Sequence, residues 1–408
     1  MSQQGPILIV STGKRPSFAA ALDETKLFPV IDADWADAAR AIDQLRPGAV
    51  LVSGFGIDKP AFEALAGQIS AREPYLPLVV VDPTTKLPDN AMPFAYGDDH
   101  PERLLARISA ALRVRSLHAT VMRRLDPPRR VAISDIDPAR DATVLLIGRG
   151  GPYPALSVAL GERMGLVGAL SIEAAAKHLG SRDIDGIVLS DGFTPRVVDA
   201  FLIVLAEDPR FRNLPIVVTS GSVRATYELA NLEIVAADPA RVAASILPMV
   251  RQHAFEVHLS RTLRSIDANG LIDARTGLLT RPAFERDFAT AVYQSQSRGG
   301  GLSLARFAFD PVHPRAQFDG ARIISRLMRQ SDFGVAEDDG SVLVVFAETD
   351  LRNAHMIARR LSAVMRHTSH GKRDTRAEPD VAVATLLPGD SAKSLLARLC
   401  DDARRAAS

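Results

Sequence analysis

The chain has 408 residues, 47% of them apolar and 24% charged, with a formal net charge of +1. That length exceeds one ordinary hydrophobic core, and the balance excludes a fibrous or disordered chain. A net charge near zero excludes a global field for a nucleic-acid backbone, so no nucleic-acid partner is expected and any anion site must be built locally.

The first residues, MSQQG, lead straight into an apolar run, with no basic segment followed by a long apolar one, and no stretch reaches the ~18 apolar residues that span a bilayer. A cytoplasmic protein without membrane insertion is expected. The single cysteine, Cys400, excludes an intramolecular disulfide framework and fits a reducing compartment.

From the N-terminus, the runs PILIV, GAVLVS, LPLVVV and PFAYG alternate with helical patterns and precede the amphipathic PERLLARISAALRVRSLH. After a basic, proline-bearing link at 124–130, the order returns with TVLLIG, DGIVLSD, LPIVVTS and LEIVAA at matching intervals, which points to a duplication. Continuous apolar strands require a sheet covered on both faces. Two flavodoxin-like doubly wound α/β domains are expected, over residues 1–125 and 140–260, with their sites beyond the carboxyl ends of the strands. A helical stretch from Pro239 to Arg264 leads into a third pattern over 266–408. There IDARTGLLTRPAFERDF, GLSLARFAFD, a helix ending in RLMRQSD, the hairpin-like EDDGSVLVVF, VAVATL and a helical tail follow one another. This order predicts a C-terminal α+β domain with helices packed on one face of an antiparallel sheet.

Both repeats resemble response-regulator receiver domains. Phosphoryl chemistry in that family needs an acidic pair after strand one to hold Mg2+, an aspartate after strand three, a hydroxyl after strand four and a lysine after strand five. In the first repeat these places read Ser11-Thr12, Ser53-Gly54 and Gly97-Asp98, so phosphorylation is not expected there. In the second, Asp191 ends DGIVLSD with Pro195 four residues on, the family's spacing around its acceptor, and Thr219 or Ser220 stands at the hydroxyl position. Asp191 is the phosphoacceptor the resemblance implies; the other reading is a solvated carboxylate at a loop start. Gly148-Arg149 replaces the acidic pair and Asp238 the lysine, which leaves no evident metal site. Both repeats are expected to serve as interaction modules.

DARTGLLTRPAFERDF resembles the opening DxLTGLxNRRxF of diguanylate cyclase, or GGDEF, domains, and the resemblance runs from Asp273 to about Ala407. It implies a cyclase palm-like fold. In active members two hairpin glycines admit the substrate triphosphate, and a carboxylate on each of two strands holds metal ions. Here the signature pentapeptide corresponds to Asp338-Asp339-Gly340-Ser341-Val342, Ala308 stands at the other metal position with Asp310 two residues on, and the base-recognising segment is shortened to PVHPRAQFDGAR. No catalytic residue, metal or cofactor is expected, and the chain is not expected to be an enzyme.

Five residues before the altered hairpin stands Arg329-Gln330-Ser331-Asp332, an RxxD at the spacing of the family's inhibitory product site. The resemblance implies that Arg329 and Asp332 bind cyclic di-GMP. It also implies an additional arginine from AHMIARRLSA, with Arg360 the first candidate, Arg359 and Arg326 weaker ones, and Arg322 extending a basic stripe. Arginine supplies planar donors for phosphate and guanine acceptors, and aspartate accepts from guanine N–H groups. The plainer reading of RxxD is an i,i+3 surface ion pair.

The three-part order resembles the PleD response-regulator family, and most its non-catalytic, PopA-like branch. That resemblance implies a homodimeric cyclic di-GMP effector that moves to a cell pole and recruits an adaptor of a ClpXP-type protease pathway in cell-cycle control. Two other readings stay open: a ligand-independent receiver scaffold, and a residual diguanylate cyclase that uses Asp338 and Asp339 for metal.

Overall fold

Ile7–Val10 (β1) is buried along its whole length, which requires cover on both faces of its sheet. A computed structural model describes residues 5–96, 101–125, 137–219, 227–298, 301–310, 314–329, 331–366, 368–369 and 379–407. In it β1 lies among Val30–Ala33 (β2), Ala49–Ser53 (β3), Leu78–Val81 (β4) and Ala91–Phe94 (β5), all parallel, in the order β2-β1-β3-β4-β5. This is the 2-1-3-4-5 order of a doubly wound sheet. Alternate residues sort to opposite faces. Ile7, Ile9, Leu51 and Val79 pack with Phe18 and Leu22 of Ser17–Thr25 (α1) and with Leu104 and Ile108 of Pro101–Arg124 (α4). Leu8, Val10, Val50 and Val80 pack with Ile42 of Trp35–Leu45 (α2) and with Phe62 and Leu65 of Lys59–Ser70 (α3). Asp34 and Asp58 start α2 and α3 by accepting the N–H of Asp37 and Ala61.

Contacts divide the chain into two units, the first being Met1–Ala159, Leu170–Ile172 and Asp185–Leu259. Besides the first sheet it holds Thr143–Ile147 (β6), Gly186–Leu189 (β8), Ile216–Val218 (β9) and Leu232–Ile234 (β10). These are parallel neighbours in the order β10-β9-β8-β6. The helices along this part of the chain are Tyr153–Gly161 (α5), Ile172–Ser181 (α6), Pro195–Glu207 (α7) and Pro239–Asp267 (α8), the last close to the expected Pro239–Arg264.

The second unit is Leu160–Ala169, Glu173–Ile184 and Ser260–Ser408. Its sheet is antiparallel: Leu302–Ala308 (β11), Phe333–Ala336 (β12), Ser341–Ala347 (β13) and Asp380–Thr385 (β15), in the order β12-β13-β11-β15. Gly165–Ala169 (β7) pairs antiparallel with Thr368–Ser369 (β14). The expectation of helices on one face is corrected here. Pro314–Leu327 (α10) and Leu351–Met365 (α11) cover Ala305, Phe307, Val344 and Phe346, while Arg281–Arg298 (α9) and Ala392–Ala407 (α12) cover Leu302, Leu304, Leu343 and Val345. LSLARFA and SVLVVFA carry apolar residues at both parities of the strand, so both faces need cover. Among the described residues no helix is long and apolar enough to cross a membrane.

Candidate functional site

Arg329 stands in the turn between α10 and β12. Asp332 closes that turn: its N–H donates to the Arg329 carbonyl (3.1 Å), and its Oδ1 accepts the N–H of Ala347 at the end of β13 (3.2 Å). Beyond β13, Asp350 caps α11 by accepting the Asn353 N–H (2.8 Å). Asn353, Met356, Ile357 and Arg360 then follow at i, i+3, i+4 and i+7, which is one face of the helix. That face and Arg329 line one cavity of about 380 Å3, together with Glu348 and Thr349. Among the described residues neither the Arg329 nor the Arg360 guanidinium makes a hydrogen bond or salt bridge. Met356, 57% exposed, adds an apolar surface beside the two cations. Two planar donor forks and an apolar surface suit a ligand that carries both phosphate and a flat base. The helical spacing back from Arg360 is the signal by which Asn353, Met356 and Ile357 can be found in the sequence.

The other expected ligand residues fall elsewhere. Asp332 does not line the cavity; it is buried, burial pushes its carboxyl up, and it serves as the acceptor that holds the turn. Arg359 is exposed and sits one residue off the cavity face of α11. Arg326 donates to Asp183 (2.8 Å) and to the Leu179 carbonyl (3.2 Å), and lines a separate cavity of about 270 Å3 with Arg261, Arg264 and Arg322. Arg322 donates to the Arg275 carbonyl (3.0 Å). The expected stripe from Arg322 through Arg326 toward Arg329 is therefore corrected: carboxylate and carbonyl acceptors divert both arginines. Gln330 lies outside the described residues.

At the hairpin, Ala308 of β11 is paired with Ser341 of β13, and the Phe309 N–H donates to the Gly340 carbonyl (3.4 Å). At this end of the hairpin Ala308 offers only a methyl group and Gly340 only a hydrogen. Asp339 Oδ1 accepts from the Ser341 N–H (2.9 Å) and hydroxyl (2.6 Å), and its Oδ2 accepts from Arg306 (2.9 Å). Burial pushes the Asp339 carboxyl up, but these donors outweigh it and hold the group below its ordinary value. Gly340 takes φ +85°, the left-handed conformation that suits glycine at the turn. Ala308 and Gly340 carry no side-chain group that could ligate a divalent cation, and the Asp339 carboxylate is engaged by Ser341 and Arg306. Among the described residues no cluster of three His, Cys, Asp or Glu side chains is placed to hold a metal. Pro311, Val312 and His313 lie outside the described residues.

In the second repeat Asp191 follows β8, and the Thr219 hydroxyl donates to its Oδ1 (3.3 Å). Arg149 donates its N–H to the Asp191 carbonyl and its Nε to the Gly192 carbonyl (both 3.1 Å), with its guanidinium 5.3 Å from the Phe193 ring centre. Asp238 accepts the Arg241 N–H in the first turn of α8 (2.8 Å). In the first repeat a Cβ at Gly54, the counterpart of Asp191, would meet the Asp82 carbonyl oxygen at 1.9 Å, so backbone already fills the space of an acceptor. Gly97, Asp98 and Ser220 lie outside the described residues.

No family model and no curated protein matches the sequence. Solved structures do. A sensory box/GGDEF family protein from Caulobacter crescentus CB15 is 19% identical, with a TM-score of 0.30 over 34% of this chain and 97% of that one. The coiled coil and GGDEF domain of DgcB from Caulobacter crescentus, in complex with c-di-GMP, is 16% identical, with a TM-score of 0.32 over 36% and 86%. The FimX GGDEF domain from Pseudomonas aeruginosa is 18% identical, with a TM-score of 0.30 over 33% and 94%. These structural neighbours are GGDEF domains.

Proposed function

We propose that this chain is a cyclic di-GMP effector without cyclase chemistry, and that Arg329 and Arg360 hold the dinucleotide. One observation carries the reading: two guanidinium groups, from elements on either side of β13, line the same cavity and are not used by any internal acceptor among the described residues. Exposed guanidinium groups that line one cavity and make no internal hydrogen bond are available to an anion that joins them. The identities of Ala308 and Gly340, and the engagement of Asp339 by Arg306, support the absence of phosphoryl chemistry. In the same proposal the two sets of parallel strands are receiver-like interaction modules. Through them a homodimer forms and, following the resemblance, recruits an adaptor of a ClpXP-type protease pathway at a cell pole. Asp191, with Arg149 in place of an acidic pair, supports docking over phosphoryl relay.

Isothermal titration of the full chain with cyclic di-GMP tests the ligand. Binding that is lost in both Arg329→Ala and Arg360→Ala is the expected result. No binding to the intact chain, or binding indifferent to both substitutions, overturns the proposal and leaves a scaffold.

A further inference from the structure

A larger cavity, of about 530 Å3, lies within the first unit, walled by the turn from α3 to β4, the start of β5, α4 and α8. Its size falls in the range of ~300–1,000 Å3 usual for small-molecule sites. One wall is aromatic. The Tyr75 and Phe255 ring centres are 5.8 Å apart at 64°, and the His118 ring stands 5.2 Å from Phe255 at 74°.

Three buried donors of residues lining this space have no hydrogen-bond partner among the described residues: His118 Nε2, Gln252 Nε2 and Arg251 Nε. The Tyr75 N–H donates to His118 Nδ1 (2.8 Å), and burial lowers the imidazole's proton affinity against the pull of Glu73, so the ring is neutral. A neutral ring whose Nδ1 accepts carries its proton on Nε2. Among the described residues that Nε2–H has no acceptor, and neither has the amide Nε2 of Gln252. His118 is 4% and Gln252 7% exposed. A buried polar group without a partner is costly, and three of them on one cavity mark a place for acceptors brought from outside.

The charges at the cavity argue against an anion. Its two arginines each have carboxylate partners, Arg251 through Nη1 with Asp89 (2.7 Å) and through Nε, at 3.9 Å, with Asp137, and Arg72 with Asp43. Three carboxylates, Glu73, Asp89 and Asp137, line the space against those two arginines, a net of −1.

We infer that this cavity binds a neutral, planar nitrogen heterocycle of purine size, as the free base or nucleoside. Its ring nitrogen or carbonyl acceptors meet His118 and Gln252, its π-face meets the aromatic wall, and its amino or ribose donors meet the carboxylates. The site is separate from the dinucleotide cavity and does not depend on it.

Met92, 1% exposed and lining the cavity, supplies a local probe. Its 13C-methyl resonance, assigned through Met92→Leu, is followed in the full chain as adenosine, guanosine and their 5′-monophosphates are added. At least one nucleoside should shift the resonance saturably, with the matching monophosphate weaker. Gln252→Leu should weaken binding about tenfold, the effect of one lost hydrogen bond. It should also raise the melting temperature of the free protein, because it removes an unmet buried donor. Arg329→Ala should leave nucleoside binding unchanged. The inference is overturned if no nucleoside moves Met92, or if Gln252→Leu binds as tightly as the parent; should that variant fold poorly, His118→Phe takes its place with the same expected loss.

Discussion

Arg107 Nη2 of α4 lies 2.7 Å from Glu233 Oε1 of β10, with both side chains almost wholly buried. The rest of the guanidinium is equally occupied: Nε donates to the Ala230 carbonyl (2.9 Å), Nη1 to the Pro93 carbonyl (3.0 Å), and the group lies 5.4 Å from the Phe94 ring centre. Burial pushes the Glu233 carboxyl up and opposes charge on Arg107, and each partner offsets the other's cost.

Arg107→Ala should therefore cost about 3–5 kcal/mol, most of it from the charge left unpaired on Glu233. Arg107→Met combined with Glu233→Leu should recover most of that loss in urea unfolding followed by circular dichroism. Equal destabilisation of the single and double variants would contradict a penalty that arises from the orphaned charge.

Asp332 and Arg329 should separate by phenotype although they belong to one RxxD. Asp332→Ala removes the acceptor for the Ala347 N–H and should lower stability by about 1–3 kcal/mol. Arg329→Ala should leave the melting temperature alone and weaken cyclic di-GMP by about 10–100-fold, and Arg359→Ala should change neither. Calorimetric titration and thermal melting of the three variants check this.

At Asp183, burial pushes the carboxyl up, but Arg261, Arg326 and Arg322 outweigh it and hold the group below its ordinary value of 3.8. A depressed folded pKa means that the unfolded chain takes up the proton first as pH falls. The stability from this site is complete above the ordinary carboxylate range and is lost as pH drops below about 4 through the folded value. Stability measured from neutral pH down to the acid limb should fall less steeply in Asp183→Asn than in the parent, and identical slopes would count against the assignment.

GTP with Mg2+ or Mn2+ should yield no cyclic di-GMP, measured by chromatography of the products. Gly340→Ala should in addition cost about 1 kcal/mol, since φ +85° strains any residue with a Cβ.

Acetyl phosphate with Mg2+ should leave the chain unlabelled, as judged by intact mass. Gly54→Asp should not restore an acceptor in the first repeat and should destabilise it, because its Cβ runs into the Asp82 carbonyl. A label that disappears in Asp191→Asn would revive phosphoryl transfer.

The apolar runs at β1, β3, β4, β6, β8 and β9, the length of α8, and the succession of β11, hairpin and β15 are legible in the residues alone, because each depends on the periodicity of neighbours along the chain. β2, reading VIDA, and β7, reading GLVGA, escape that reading: a polar residue or glycines break the apolar run, and only pairing partners make strands of them. PFAYG signals a strand in roughly the right place, yet β5 is Ala91–Phe94, set by the register of Leu78 against Ala91.

By itself the sequence determined the α/β and antiparallel patterns, the absence of a carboxylate at Ala308 and Gly340, and the presence of arginines near an RxxD. Only the tertiary structure decided which arginines remain available. Arg360 faces the cavity and Arg359 does not because of the pitch of α11, Arg326 is consumed by Asp183, and Asp332 is turned inward by the Ala347 N–H. Asp183 and Arg326 are 143 residues apart in sequence. Local periodicity is written in consecutive residues, whereas a charge finds its partner across the fold, and what is left unpaired emerges only once every other acceptor has been placed.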